Sequence, residues 1–169
     1  GGNESTTGLL GSAMLMLCRH QDQQDYLRAH PEQVENFIEE ALRTETPVQS
    51  NFRVVTEDTT LAGTALPKGA VLVLRYASAN RDERKFENPD DFIIGRHNAR
   101  HHLAFGIGIH RCMGSRLAEL QLKILWEELL ARFEDIEVVG EPEYTQSNFV
   151  KGYSKMMVKV TKKQAAAPE

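Results

Sequence analysis

The stretch Phe105-Gly106-Ile107-Gly108-Ile109-His110-Arg111-Cys112-Met113-Gly114 sets one cysteine among three glycines. Glycine admits positive φ and close backbone approach, so such a loop can turn several N–H donors toward one atom. Cys112 is the atom with chemistry to offer. It precedes a helix-like apolar run, where free N–H groups and the positive end of a helix dipole stabilise an anion, and Arg111 and His110 act in the same direction. A thiolate so favoured can attack a substrate, exchange with a disulfide or bind a soft metal. The other cysteine, Cys18, is far away in the chain, which leaves no C-x-x-C pair for disulfide exchange and no cysteine-rich zinc site. His97, His101, His102 and His110 could be gathered round Cys112, but their spacing matches no common zinc pattern. A cysteine hydrolase with a positioned histidine and a plain buried cysteine both stay open on spacing alone.

Charge is uneven around this loop. The 169-residue chain has a net charge of −4, yet no Asp or Glu occurs from Phe92 to Ala118, where Arg96, Arg100, Arg111 and Arg116 stand with four of the six histidines. Such a segment is either a solvated basic loop or a surface for a phosphate, a carboxylate or an acidic partner. Hydrophobic residues at 41% and charged residues at 26% argue against disorder and collagen-like repeats. The longest nearly apolar stretch, Gly8 to Cys18, is about half of the roughly 20 residues a membrane span needs. The Gly1-Gly2-Asn3-Glu4 start lacks an initiator Met, a basic n-region and a cleavage site, so it reads as a cut end rather than a targeting signal.

The elements that must carry the loop follow from periodicity. Residues 9–17 are apolar around most of a helix and belong in a core. Pro31 opens a second helix over about 31–44, with Val34, Phe37, Ile38, Ala41 and Leu42 at helical spacing and Thr46-Pro47 as its stop. Strands are expected at 52–55 and 70–76, separated by a Leu66-Pro67-Lys68-Gly69 turn, and residues 80–100 read as a long structured loop. Residues 117–133 read as a long, largely buried helix, with apolar stripes at 118, 122, 125, 129 and 133 and at 117, 120 and 124. Residues 136–139 and 156–160 can pair as closing strands. The class is mainly α with small antiparallel β-sheets (α+β), one domain over 1–162 followed by a flexible tail at 163–169.

Phe105, Gly106, Gly108, His110, Cys112 and Gly114 reproduce the F-G-x-G-x-H-x-C-x-G signature, and on it the chain resembles the cytochrome P450 family. The resemblance implies that Cys112 is the axial thiolate of a haem iron, pushing electron density onto the metal to favour O–O cleavage. Glu40-Ala41-Leu42-Arg43 is similar to that family's E-x-x-R motif, which ties a helix to the long loop before the cysteine. The usual third member is an Arg in a P-E-R-F-like segment; Asn88-Pro89-Asp90-Asp91-Phe92 departs from it, and Arg96 stands as the substitute. Gly2-Asn3-Glu4-Ser5-Thr6 resembles the family's A-G-x-[DE]-T-T stretch, which makes Glu4 and Ser5 the acid and alcohol of proton delivery. Read without the resemblance, Asn3, Ser5 and Thr6 are helix-capping residues.

The same resemblance implies haem b, with Phe105, Gly106 and Gly114 cradling it and Arg53 and His110 as partners for its propionates. It implies a monooxygenase that inserts one oxygen atom from dioxygen into a hydrophobic small molecule, with electrons from a ferredoxin or flavodoxin-like donor docking on the basic segment. Segments 48–51 and 147–152 correspond to pocket-lining stretches. Neither nucleic acid nor membrane is expected as a partner, and the style is that of a soluble, cytoplasmic bacterial member. Matching spans nearly the whole chain but only the C-terminal part of the family's fold, so this is expected to be a truncated fragment with exposed apolar faces that self-associates. A non-catalytic haem-binding module and an inert interaction fragment are the alternatives.

Overall fold

The computed structural model describes residues 2–163. Of the expected tail, residues 164–169 lie outside that range, and Lys163 is tied down, its N–H donating to the Arg132 carbonyl at 3.0 Å.

Helices α1 (Glu4–Arg19), α2 (Gln21–Ala29) and α3 (Val34–Glu45) come first, then strands β1 (Asn51–Val54), β2 (Thr59–Leu61), β3 (Thr64–Leu66) and β4 (Val71–Leu74). A single helical turn α4 (Tyr76–Ala79), the long helix α5 (Ser115–Arg132) and strands β5 (Phe133–Tyr144) and β6 (Tyr153–Lys162) follow. All three two-stranded sheets are antiparallel, β1 with β4, β2 with β3 and β5 with β6.

The core forms where α1, α3 and α5 meet. Phe37 of α3 packs edge-on against Trp126 of α5, ring centroids 4.9 Å apart, and receives Phe92 from the long loop at 6.1 Å. Leu9, Ala13 and Leu17 of α1 close the same cluster. Because α3 is buried almost all round, its Glu39, Glu40, Arg43 and Glu45 are buried too. Charges so placed need partners, and the loops supply them. Pro47 disfavours a helical conformation in Thr46; Thr46 ends α3 at φ 38°, with its hydroxyl bonded to the Arg43 carbonyl at 2.9 Å.

Several elements depart from the sequence expectation. The 117–133 helix is not largely buried: Leu122, Trp126 and Leu130 face the core, whereas Leu117, Leu120 and Ile124 are exposed. That stripe has no facing element among the described residues. The strand expected at 70–76 stops at Leu74, because Tyr76 opens α4. Helix α2 and the β2–β3 hairpin had no strong pattern. Gln24 and Leu27 are the inward residues of α2; Leu27 joins the apolar core, and Gln24 donates to the carbonyls of Ile136 and Leu17 at 3.2 and 3.5 Å. The hairpin turns through Ala62 and Gly63, both at positive φ.

Glycine matters most where α1 meets the β5–β6 turn. A Cβ on Gly8 would stand 2.6 Å from the Lys151 carbonyl oxygen, and one on Gly11 would stand 2.8 Å from the Tyr153 ring. Alanine favours a helix by about 1 kcal/mol over glycine, but a forced backbone shift costs about 1–3 kcal/mol. Gly8→Ala is therefore expected to lower the melting temperature by a few degrees, read by circular dichroism; an unchanged or higher value would show that the turn yields freely.

Candidate active site

Glu40 is the centre of a buried ion network. Arg43, one turn further along α3, meets it side-on, Nε and Nη2 donating to its two carboxylate oxygens at 2.8 Å each. Arg96 arrives from the loop, its Nε at 2.9 and 3.1 Å from the same oxygens. Glu40 and Arg43 are fully buried and Arg96 nearly so. With one carboxylate to two guanidiniums, the remaining N–H groups turn to carbonyls. Arg43 Nη1 donates to Asn80 and Pro89 at 2.9 and 2.7 Å, and its Nη2 to Asp91 at 2.9 Å. Arg96 holds the carbonyls of Glu87, Asn88 and Asp91. The arginine fork suits this many-acceptor role. The Ile93 N–H also donates to Glu40, at 3.0 Å, so segment 87–96 is shaped without regular secondary structure.

From that segment the chain passes to the cysteine loop. The Leu103 N–H donates to Asn80 Oδ1 at 2.6 Å, and Asn80 Nδ2 donates to Thr46 at 2.8 Å. Inside the loop the Gly106 N–H bonds to the Leu103 carbonyl and the Cys112 N–H to the Phe105 carbonyl, both at 2.8 Å. Gly106 and Gly108 adopt φ 68° and 75°, the left-handed conformation that favours glycine. Arg111 lies over the Phe105 ring at 6.0 Å and donates to Ser115 at the start of α5. Cys112 is exposed.

A cavity of about 580 Å³ opens over the loop. Phe105, Gly106, His110, Cys112 and Gly114 contribute to its lining from one element. From α1 come Ser5, Thr6 and Leu9, and after α3 come Pro47, Val48 and Asn51. The predicted residues Ser5, Phe105, Gly106, His110, Cys112 and Gly114 thus share one cavity. Glu4 is exposed and does not line it. Arg53 does not line it either; it shares a strand face with Asn51, and its Nη1 donates to the Phe52 carbonyl at 2.7 Å. Glu40, Arg43 and Arg96 meet behind the loop rather than in the cavity.

The wall after α3 is set by the β5–β6 turn. Val48 bridges Val150, the Gln49 N–H donates to the Phe149 carbonyl, and the Lys151 N–H donates to the Pro47 carbonyl at 2.8 Å. Lys151 Nζ also pairs with buried Glu45 at 2.7 Å. Of the two segments expected to line a pocket, 48–51 contributes Val48 and Asn51 to the cavity, whereas 147–152 contributes no lining residue and instead pairs with 47–49.

The alternatives for the thiol narrow on this geometry. No group of three or more His, Cys, Asp and Glu that could hold a metal ion exists among the described residues, so the histidine-rich zinc site is not formed. His102 is committed elsewhere, its Nε2 3.0 Å from Glu39. Cys18 is half-buried, donates to the Ile136 carbonyl at 3.3 Å and has its thiol pushed up to about 11 by burial. Thr6, Glu39, Asn80 and His102 were not singled out for the roles they take. Thr6 stands beside Ser5 in the matched stretch; Glu39 and Asn80 carry no sequence signal, and the histidine-rich segment around His102 points to a metal rather than to a partner on α3.

Comparison with known proteins gives a consistent answer. The family model Cytochrome P450 matches residues 2–160. The chain is 38% identical over 161 residues to cytochrome P450-terp of a Pseudomonas species, covering 95% of this chain and 37% of that protein. It is 39% identical to linalool 8-monooxygenase of Pseudomonas putida, covering 94% and 39%. The structure of cytochrome P450-153 from Novosphingobium aromaticivorans superimposes with a TM-score of 0.92 at 43% identity, covering 94% of this chain and 40% of that one. The chain therefore spans about two-fifths of the length of these relatives.

Proposed function

The chain belongs to the cytochrome P450 family, and on that premise we propose that it builds the haem-thiolate side of a bacterial monooxygenase acting on a hydrophobic small molecule. The observation that carries the reading is one cavity lined both by the Cys112 loop and by Ser5 and Thr6 of α1. A second support is that linalool 8-monooxygenase, a similar protein, is named for the monooxygenation of a small molecule, linalool.

The residues present fit a haem, and haem b is the form proposed. An exposed thiol offers a soft donor, and Cβ atoms built on Gly108 and Gly114 would meet nothing within 4 Å, which leaves an open surface beside it. Phe105, Leu9 and Val48 give apolar lining for a macrocycle. Cys112 would hold the iron, and His110 would serve one propionate, with Arg53 assigned to another. Bound haem would supply the activation of dioxygen.

The chain's own residues do the rest. Ser5 Oγ can hold and release a proton within the cavity, and exposed Glu4, adjacent in α1, can exchange protons with solvent. The exposed Arg111 supports the docking of an acidic ferredoxin or flavodoxin-like electron donor, with Arg100 and Arg116 of the same basic segment already paired to Glu35 and Glu119. The exposed Leu117, Leu120 and Ile124 stripe supports self-association. No helix among the described residues is long and apolar enough to cross a membrane, and a cytoplasmic site belongs to the same proposal.

The test is the ferrous, carbon monoxide difference spectrum of the purified chain reconstituted with haem. A strongly red-shifted Soret band supports the reading; a histidine-type band refutes it for this chain and leaves the non-catalytic haem-binding module, and no band leaves the inert fragment. In chain that passes, Ser5→Ala is expected to keep that band while releasing more peroxide per electron consumed, by on the order of tenfold. Unchanged coupling would remove Ser5 from proton delivery.

A further inference from the structure

Glu39 and Glu40 are neighbours on α3, yet they serve different parts of the chain. Glu40 holds segment 87–96 through Arg43 and Arg96, and Glu39 accepts from His102 Nε2 at 3.0 Å. The other ring nitrogen, Nδ1, accepts the Ala104 N–H at 3.1 Å. A nitrogen that accepts carries a lone pair, so the ring's single proton sits on Nε2, facing the carboxylate. Glu39 therefore fixes the tautomer that makes His102 an acceptor for the loop. Both side chains are almost wholly buried, 3% and 8% exposed, so water is a poor substitute for either contact. The His102 ring also leans on Phe105, centroids 5.7 Å apart, and the Phe105 carbonyl is the one that receives the Cys112 N–H.

We propose that His102, held in its Nε2–H tautomer by Glu39, is a positioning residue for the Cys112 loop. It acts through Ala104 and Phe105 and touches no reacting atom. Its consequence for a thiolate ligand rests on the haem reading above, while its hold on the loop does not.

The test is residue-resolved amide hydrogen exchange on the full haem-free chain. In His102→Leu, exchange at Ala104 and Cys112 is expected to rise about tenfold or more, with amides in the middle of α3 and α5, such as Ala41 and Trp126, unchanged. His102→Gln, whose amide offers one acceptor and one donor, is expected to return both loop amides to near the wild-type rate. A merely structural histidine would raise exchange evenly across the core, and that result, or no change at the loop, overturns the proposal. Should His102→Leu not fold, Glu39→Leu keeps the ring and removes the tautomer lock; Ala104 exchange must again rise, and an unchanged rate overturns the proposal. After haem reconstitution, His102→Leu is expected to lose most of the red-shifted carbon monoxide band and His102→Gln to keep it. If wild-type chain gives no such band, the haem reading fails, and the exchange data still decide the role of His102.

Discussion

Replacing Cys112 with alanine is expected to abolish the red-shifted ferrous carbon monoxide band completely while leaving the fold intact. The thiol is exposed, and the hydrogen bond that shapes the loop at this position runs from the Cys112 backbone N–H to Phe105, which alanine retains. Stability should thus stay within about 0.5 kcal/mol of wild type, the usual range for exposed substitutions. Cys18 does not take over, because it does not line the cavity and its half-buried S–H donates to the Ile136 carbonyl at 3.3 Å. The paired measurement is a haem titration with spectra and a urea melt of the same preparation. A thiolate-type band surviving in the variant would remove the ligand assignment.

Arg43→Ala is expected to have the largest effect on stability. The substitution removes five hydrogen bonds, two to Glu40 and three to loop carbonyls, and a guanidinium stacked 5.2 Å from the Phe86 ring centre. Breaking a buried charge pair costs about 3–5 kcal/mol, a large share of the about 5–15 kcal/mol that holds a typical domain. Arg43→Lys should recover little, since one ammonium cannot serve a carboxylate and three carbonyls in the plane of a fork. Urea unfolding followed by circular dichroism reads the difference, and coincident midpoints for wild type and Arg43→Ala would show that the network adds nothing.

What the sequence made legible was what repeats or spaces itself. The apolar rhythm of 34–42 located α3, and that of 9–17 located α1. The paired registers Ile136 with Val160 and Val138 with Val158 follow the alternation expected for 136–139 and 156–160. Rhythm alone could not say what faces each stripe, which is why Leu117, Leu120 and Ile124 counted toward burial and are exposed. Helix α2 has no apolar rhythm because one of its two inward side chains is a glutamine, satisfied by backbone carbonyls, which leaves Leu27 as the single fully buried apolar residue of the helix. The β2–β3 hairpin escaped because Ala62 occupies a turn position where Asn or Asp would announce the left-handed conformation. At the site, Cys112, Ser5 and His110 stood out by motif. The Glu39–His102 pair is 63 residues apart in sequence and has no motif, so only the folded chain brings it into view.

The adjacency of Glu39 and Glu40 also bears on the order in which the chain gathers itself. Each acid closes a long loop, 56 residues to Arg96 and 63 to His102. Loop-closure entropy grows with the logarithm of length. Once Arg96 has reached Glu40, however, His102 is only a few residues from a point already fixed beside Glu39. The second closure then costs about 2 kcal/mol less than it would from an open chain. The two anchors are therefore coupled through chain entropy without touching, and the cysteine loop settles cheaply only after the segment before it has been caught.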